Sequence, residues 1–176
     1  LYDVSFRISP HFQKVFRHSG VMTEEIVDQT DRRILNILQD DGRVTNQELS
    51  RRAGLSPAAC FERVKRLRER GIITGYMALL DPAKLGRAMT IFVEVILDRT
   101  TGDAFSAFAE HAAKIPDILE CHMVAGGFDY LLKVRVADMT AYRVFLGDIL
   151  VAIPGVRETR TYAVIEEVKS TQRVPL

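Results

Sequence analysis

The sequence predicts an α+β protein of two modules, three short helices followed by a sheet module in the order β-α-β-β-α-β. Three observations carry this. Helix-start signals stand at Asp28, Thr45 and Ser56, ahead of a break at Asp81-Pro82. After the break, β-branched runs alternate with amphipathic stretches. Charge is also uneven: residues 43–80 hold eight Arg or Lys against three Glu, in a 176-residue chain whose net charge is +1.

The first helix opens at Asp28-Gln29-Thr30-Asp31, where acidic groups suit the positive helix start. Ile34, Leu35 and Leu38 give its apolar stripe, and Gly42 ends it. Thr45-Asn46-Gln47-Glu48 reads as a capping box: the Thr hydroxyl accepts an orphan N–H while Glu48 reaches back to the cap residue. That second helix runs to Arg52, and Ala53-Gly54-Leu55 allows only a tight corner. Ser56-Pro57 starts the third helix with an N-cap hydroxyl and a proline whose missing N–H costs nothing there. Gly71 closes it. Cys60, Val64 and Leu67 make its core seam, leaving Pro57, Ala58, Ala59, Glu62, Arg63, Lys65 and Arg66 outward. Two helices at a short corner, the second basic, form the pattern of a DNA-binding helix-turn-helix.

Residues 72–80 are β-branched and aromatic and predict a strand, with a hinge to Arg87. Strands follow at 90–97, 118–124, 130–136 and 160–168. Helices lie at 103–114, with Phe105, Phe108, Ala109 and Ala112 on one face, and at 140–150. This order is the ferredoxin-like split βαβ, one antiparallel sheet with both helices on one face. The other face needs a cover, which points to a dimer through the sheets. Met22-Thr23-Glu24-Glu25 looks like a native start, so residues 1–21 read as an upstream extension or an added segment. The expected domains are then 22–76 for DNA binding, 77–89 for strand and hinge, and 90–176 for the sheet module and oligomerisation.

Composition narrows the class. With 47% hydrophobic and 27% charged residues the chain is neither disordered nor fibrous. Cys60 and Cys121 have no ligand spacing, which argues against a disulfide scaffold or zinc and suits a reducing cytosol. Cys60, in the apolar seam, reads as core rather than redox switch. No apolar run approaches a membrane span, and the first twenty residues lack a signal peptide's apolar core and cleavage site. His111 and His122 match no metal motif, and no nucleophile–base pair is evident. The expectation is therefore a cytoplasmic, nucleoid-associated protein, with no enzymatic activity, metal or cofactor.

The chain resembles the Lrp/AsnC family, the leucine-responsive or feast/famine bacterial transcription regulators, and within it the leucine-responsive branch. The matching motifs span residues 28–173. They include Asp31-Arg32-Arg33-Ile34-Leu35, Asp40-Asp41-Gly42-Arg43, Leu55-Ser56-Pro57, and Glu62-Arg63-Val64 before Arg66-Leu67. Gly71-Ile72-Ile73, Glu120-Cys121-His122 and Gly127-Phe128-Asp129-Tyr130-Leu131-Leu132-Lys133 follow. Pro154-Gly155-Val156, Thr159-Arg160-Thr161-Tyr162 and Glu166-Glu167-Val168-Lys169 complete them. The resemblance implies a winged helix-turn-helix joined to a RAM/ACT-like domain, with effector binding and oligomerisation assigned to 90–176. It further implies dimers assembling into octamers, an amino acid bound between dimers, and control of amino-acid metabolism.

Candidate DNA-binding residues are Asn46, Gln47, Ser56, Pro57, Ala58, Ala59, Arg63, Lys65 and Arg66. Asn46 and Gln47 sit at a helix start suited to phosphate, and the small residues at 56–59 permit close approach to double-stranded DNA. Arg63 is placed to reach bases or phosphate; the ordinary alternative for each cation is a surface ion pair. Gly126-Gly127-Phe128-Asp129 precedes no helix, so it is no nucleotide loop; it reads as a tight hairpin whose glycines take positive φ. By resemblance its backbone N–H groups hold a ligand carboxylate and Asp129 its ammonium. Met123, Met139, Tyr162, Ala163 and Val164 are implied in the effector response, the Met pair suiting a branched aliphatic side chain. Leucine or another small amino acid is the expected effector, and Gly127 and Ala163, smaller than the resemblance suggests, leave its size open. The competing readings are an architectural, nucleoid-like DNA wrapper and a small α+β enzyme; fold alone does not exclude the latter.

Overall fold

Asp28 starts the first helix by accepting the Asp31 N–H on Oδ1 at 2.7 Å. The computed structural model describes residues 27–98 and 101–176; the upstream segment 1–21 and the start at Met22 lie outside them. The chain divides into two units. One extends to Met77 and takes in Arg173–Leu176, and the other is Ala78–Gln172.

The first unit is built from α1 (Gln29–Asp40), α2 (Asn46–Ala53) and α3 (Pro57–Glu69). Thr45 Oγ1 accepts the Glu48 N–H at 3.3 Å, but the other half of the expected capping box does not form. The Glu48 carboxylate instead takes Arg51 at 2.6 and 2.8 Å, since a guanidinium one turn on is a stronger donor than a neutral N–H. Gly54, at φ +73°, turns the chain out of α2, and Leu55 N–H returns to the Ser50 carbonyl at 2.9 Å. Gly71, at φ +70°, closes α3, with Ile72 N–H on Leu67 O and its own N–H on Arg68 O. Those two bonds are a Schellman end, which a residue with a Cβ makes only under strain. Ile34, Leu49, Ala53, Cys60 and Leu67 form the buried core of this unit.

The strand expected at 72–80 is not present. Ile72 and Ile73 pack onto the helical core, and no described strand lies beside 74–80 to pair with its backbone. Tyr76, Met77, Leu79 and Leu80 are left exposed. Tyr76 nonetheless lies beside Gly42, just past the end of α1: a Cβ on Gly42 would come within 3.1 Å of its ring.

The second unit runs β1 (Met89–Leu97), α4 (Gly102–Ala112), β2 (Ile118–Met123), β3 (Tyr130–Val136), α5 (Met139–Val144) and β4 (Val156–Ala163). Its antiparallel sheet has the order β2-β3-β1-β4. Alternate residues Ile91, Val93, Val95 and Leu97 of β1, with Tyr130, Leu132, Val134 and Val136 of β3, face Phe108, Tyr142, Phe145 and Leu150. Phe108 is fully buried, a burial worth about 2–3 kcal/mol. Its ring lies 4.6 Å from that of Tyr130, whose hydroxyl donates to Phe105 O at 3.0 Å. Ala109, expected on this face, is exposed.

Two boundaries depart from expectation. The helix expected at 140–150 becomes π-helical over Phe145–Leu150. The wider turn lets Phe145 and Leu150, five residues apart, both reach the core. The last strand runs over Val156–Ala163 rather than 160–168; its ladder with β1 closes at Ile91↔Ala163, with one further bond from Val164 N–H to Thr90 O at 3.0 Å. Ile165 and Val168 are consequently exposed. Among the described residues, no helix is long and apolar enough to cross a membrane.

Candidate functional site

In the first unit, the chain presents the start of α3 to solvent. Ser56 Oγ accepts the Ala59 N–H at 3.2 Å, leaving Pro57, Ala58 and Ala59 exposed and free of bulk. Asn46 Nδ2 donates to Pro57 O at 2.9 Å, so this expected phosphate binder also ties the start of α2 to the start of α3. Gln47 is exposed on the same helix start, and Arg33 Nη1 caps the far end of α2 through Ala53 O at 3.1 Å. Cys60 lies beneath, fully buried, and burial pushes its thiol pKa up; both facts mark it as core.

The cations of α3 fall into two groups. Lys65 stands 56% exposed, 4.0 Å from Glu69, and Arg68 and Arg70 are exposed as well. Arg63 and Arg66 instead meet α1. Arg63 Nη1 donates to Asp28 Oδ2 at 2.6 Å and to Asp31 Oδ1 at 2.7 Å, and Arg66 Nη2 donates to Asp31 Oδ2 at 3.0 Å. Asp31 is 2% exposed, so the pair of guanidiniums is what keeps a buried carboxylate satisfied. The Arg63 hydrogen bond, with the Asp31 N–H, holds the Asp28 carboxyl below its ordinary pKa. A phosphate or base contact from Arg63 must therefore share it with, or take it from, these carboxylates. Nothing in the local sequence flagged Asp31 for this role. Its position on a helix start already explained it.

In the second unit, residues 124–129 join β2 to β3. Val124 N–H bonds to Asp129 O at 3.0 Å, and Asp129 N–H to Val95 O at 3.0 Å. Asp129 Oδ2 accepts the Leu97 N–H at 2.8 Å, which anchors the carboxylate beside the end of β1. Gly126 and Gly127 do not take the expected positive φ. The four residues between Val124 and Asp129 span the turn without a left-handed position. A Cβ on either glycine meets nothing within 4 Å, and no backbone partner engages the N–H groups of Gly126, Gly127 or Phe128 among the described residues.

The remaining effector candidates lie elsewhere. Met123 pairs with Tyr130 and adjoins the turn. Ala163 pairs with Ile91, and Met139 follows Val136, the partner of Met89, so both sit toward the opposite end of β1. The turn's Asp129 meets β1 at Val95, whereas 162–164 meet it at Phe92, Ile91 and Thr90, three to five steps or about 10–17 Å away at roughly 3.3 Å per residue. Tyr162 and Val164 flank Ala163; the Tyr162 hydroxyl donates to Glu94 Oε1 at 3.1 Å, which pushes its pKa up. Met123, Met139 and Tyr162 are all about half exposed, at 58%, 50% and 49%. One subunit thus brings Met123 and 126–129 together, but not with Met139 and 162–164. Among the described residues, no cluster of three or more His, Cys, Asp or Glu is arranged to hold a metal.

A capped basic helix pair followed by a separate βαββαβ unit fits the class of DNA-binding regulators that carry a ligand-binding domain. Comparison with known proteins gives the same class. Residues 27–74 match the winged helix-turn-helix DNA-binding family, and residues 90–174 match the Lrp/AsnC ligand binding domain. The chain is 53% identical over 148 residues to the leucine-responsive regulatory proteins of Escherichia coli K12 and Klebsiella pneumoniae, covering 84% of this chain and 90% of each relative. Among solved structures, a transcriptional regulator of Neisseria meningitidis in complex with L-Met aligns at 39% identity and a TM-score of 0.81, over 85% of this chain and 96% of that one. An AsnC family regulator of Agrobacterium tumefaciens aligns at 32% identity and 0.81, over 85% and 97%. The chain belongs to the Lrp/AsnC family and is a DNA-binding transcription regulator.

Proposed function

We propose that this protein controls genes of amino-acid metabolism and that a bound amino acid shifts its oligomeric state or its DNA affinity. The observation that carries this reading is the union, in one chain, of an exposed basic α3 with a unit matched to ligand-binding domains. Ser56, Pro57, Ala58 and Ala59 approach the major-groove edge, Lys65 and the α2 start at Asn46 and Gln47 engage phosphate, and Arg63 and Arg66 hold α3 on α1 while facing the same backbone. The domains take the roles expected for 22–76, 77–89 and 90–176, in a cytoplasmic protein without catalytic activity.

The effector is an α-amino acid, leucine, methionine or one of similar size. The N–H groups of Gly126, Gly127 and Phe128 receive its carboxylate, and Asp129, with one oxygen on Leu97, receives its ammonium. Met139, Tyr162, Ala163 and Val164 respond from a different chain, since about 10–17 Å of β1 separates the partners of 162–164 from the turn within one subunit. That separation supports a site completed by assembly, with dimers joining into octamers. A ligand can drive this only through its differential affinity for the assembled and separated states.

Thermal unfolding of the protein with leucine, methionine, alanine and proline tests the effector reading. A ligand at 100 times its Kd stabilises the native state by about 2.7 kcal/mol, a shift of several degrees. Unfolding indifferent to every amino acid sinks it.

A further inference from the structure

The carboxyl end of α1 is negative twice over. Its unpaired carbonyls carry the helix dipole, and its last residue is Asp40, with no basic residue in the final turn. The missing cation comes from far along the chain. Arg173 pairs its guanidinium with Asp40 and donates to Asn36 Oδ1 at 3.2 Å. Next to it, Gln39 reads the main chain of Val174 in both directions: Val174 N–H donates to Gln39 Oε1 at 2.7 Å, and Gln39 Nε2 donates to Val174 O at 3.0 Å. Asn36, Gln39 and Asp40 are spaced i, i+3 and i+4, so one face of α1 makes all of these contacts.

We propose that this face of α1 is a docking site for the carboxyl-terminal tail, and that the tail is a second, releasable tether on the DNA-binding unit. The chain leaves the first unit after Met77 and re-enters it at Arg173, so the docked tail makes the polypeptide connection double. The contact is polar. Val174 and Leu176 remain 59% and 46% exposed, leaving little apolar burial to hold the tail down. An exposed ion pair is also screened by salt, so the docked state is shallow and open to regulation. A DNA-binding unit on one linker samples a wide volume. A second anchor narrows that volume and raises the effective concentration of one α3 at its half-site once the other α3 of a dimer is bound. This last step rests on the dimer proposed above.

The test uses the whole chain and three variants: Gln39→Ala, Asp40→Arg, and Asp40→Arg combined with Arg173→Asp. Hydrogen exchange at the Val174 amide reports docking, because that N–H is held by Gln39. We expect exchange about tenfold slower than in a free peptide of the same sequence, release to the peptide rate in either single variant, and recovery in the charge swap. DNA affinity is then measured on a duplex selected from random sequence, whole and cut to one half-site. Gln39→Ala should lose roughly threefold to tenfold on the whole site and nothing on the half-site. Peptide-rate exchange in the native chain overturns docking. Unchanged whole-site affinity in an undocked variant overturns the tether. A monomer in sedimentation contradicts the dimer, and with it the affinity effect, while Val174 exchange still judges docking by itself.

Discussion

Replacing Asp31 by Asn weakens the bond between α1 and α3 while keeping the shape of the side chain. Asp31 is 2% exposed and receives Arg63 at 2.7 Å and Arg66 at 3.0 Å. Breaking a buried ion pair costs about 3–5 kcal/mol when the stranded charge stays buried. Here it does not. Arg63 keeps Asp28 at 2.6 Å, and the Arg66 side chain, 49% exposed, can rehydrate. The loss is therefore nearer that of one charged hydrogen bond, about 1.5–2.5 kcal/mol. For a module of this size, each kcal/mol moves the midpoint by about 4–8 °C, so the helical unit should melt roughly 6–20 °C lower. Calorimetry of the whole 176-residue chain, with far-ultraviolet circular dichroism to follow the helices, reads this directly. Arg66→Ala in the same background completes a double-mutant cycle, with a coupling of about 1 kcal/mol expected. A change below about 0.5 kcal/mol, or strict additivity with Arg66→Ala, would show that the carboxylate is not clamping the two helices.

Four further outcomes follow from the same contacts. Asp28 has its folded pKa held below the ordinary value, first by Arg63, so its contribution is present above about pH 4 and is lost as pH falls through the folded pKa. Acid titration of Asp28→Asn should accordingly show a shallower loss of stability below pH 4 than the native chain. Gly71→Ala forces a Cβ into φ +70° in open space, so it should cost about 1–2 kcal/mol from backbone strain alone, measured by urea denaturation. Gly127→Ala should leave stability within about 0.5 kcal/mol, because its φ is ordinary and nothing lies within 4 Å, yet shift the midpoint of an amino-acid titration. Lys65→Ala should unfold like the native protein and lower the salt slope of DNA binding by about 0.9, the signature of one lost phosphate contact.

Local chemistry made the elements legible in sequence. Asp28, Thr45 and Ser56 cap the helices they appeared to cap, and β3 runs over Tyr130–Val136 as its alternation required. Failures came where the outcome depended on partners. Residues 72–80 have strand composition, but a strand needs a neighbour, and β4 is confined to the stretch that pairs with β1, Val156–Ala163. Glu48 had two acceptable donors, and the charged one won. The buried Asp31 and the Arg173 contact were hidden for a different reason: their partners lie 32 to 35 and 133 residues away. The turn at 126–129 was visible as a turn, but its glycines looked like conformational necessities. In the structure they are instead open space, the feature a ligand can use.

Regulation by this protein requires a link between the ligand unit and DNA. A titration of selected duplex DNA, with and without saturating leucine or methionine, and with sedimentation velocity on the same samples, tests that link. At least one amino acid should change DNA affinity by about fivefold or more, with a matching change in the oligomer distribution. Identical affinity and identical sedimentation in the presence and absence of every amino acid would contradict it.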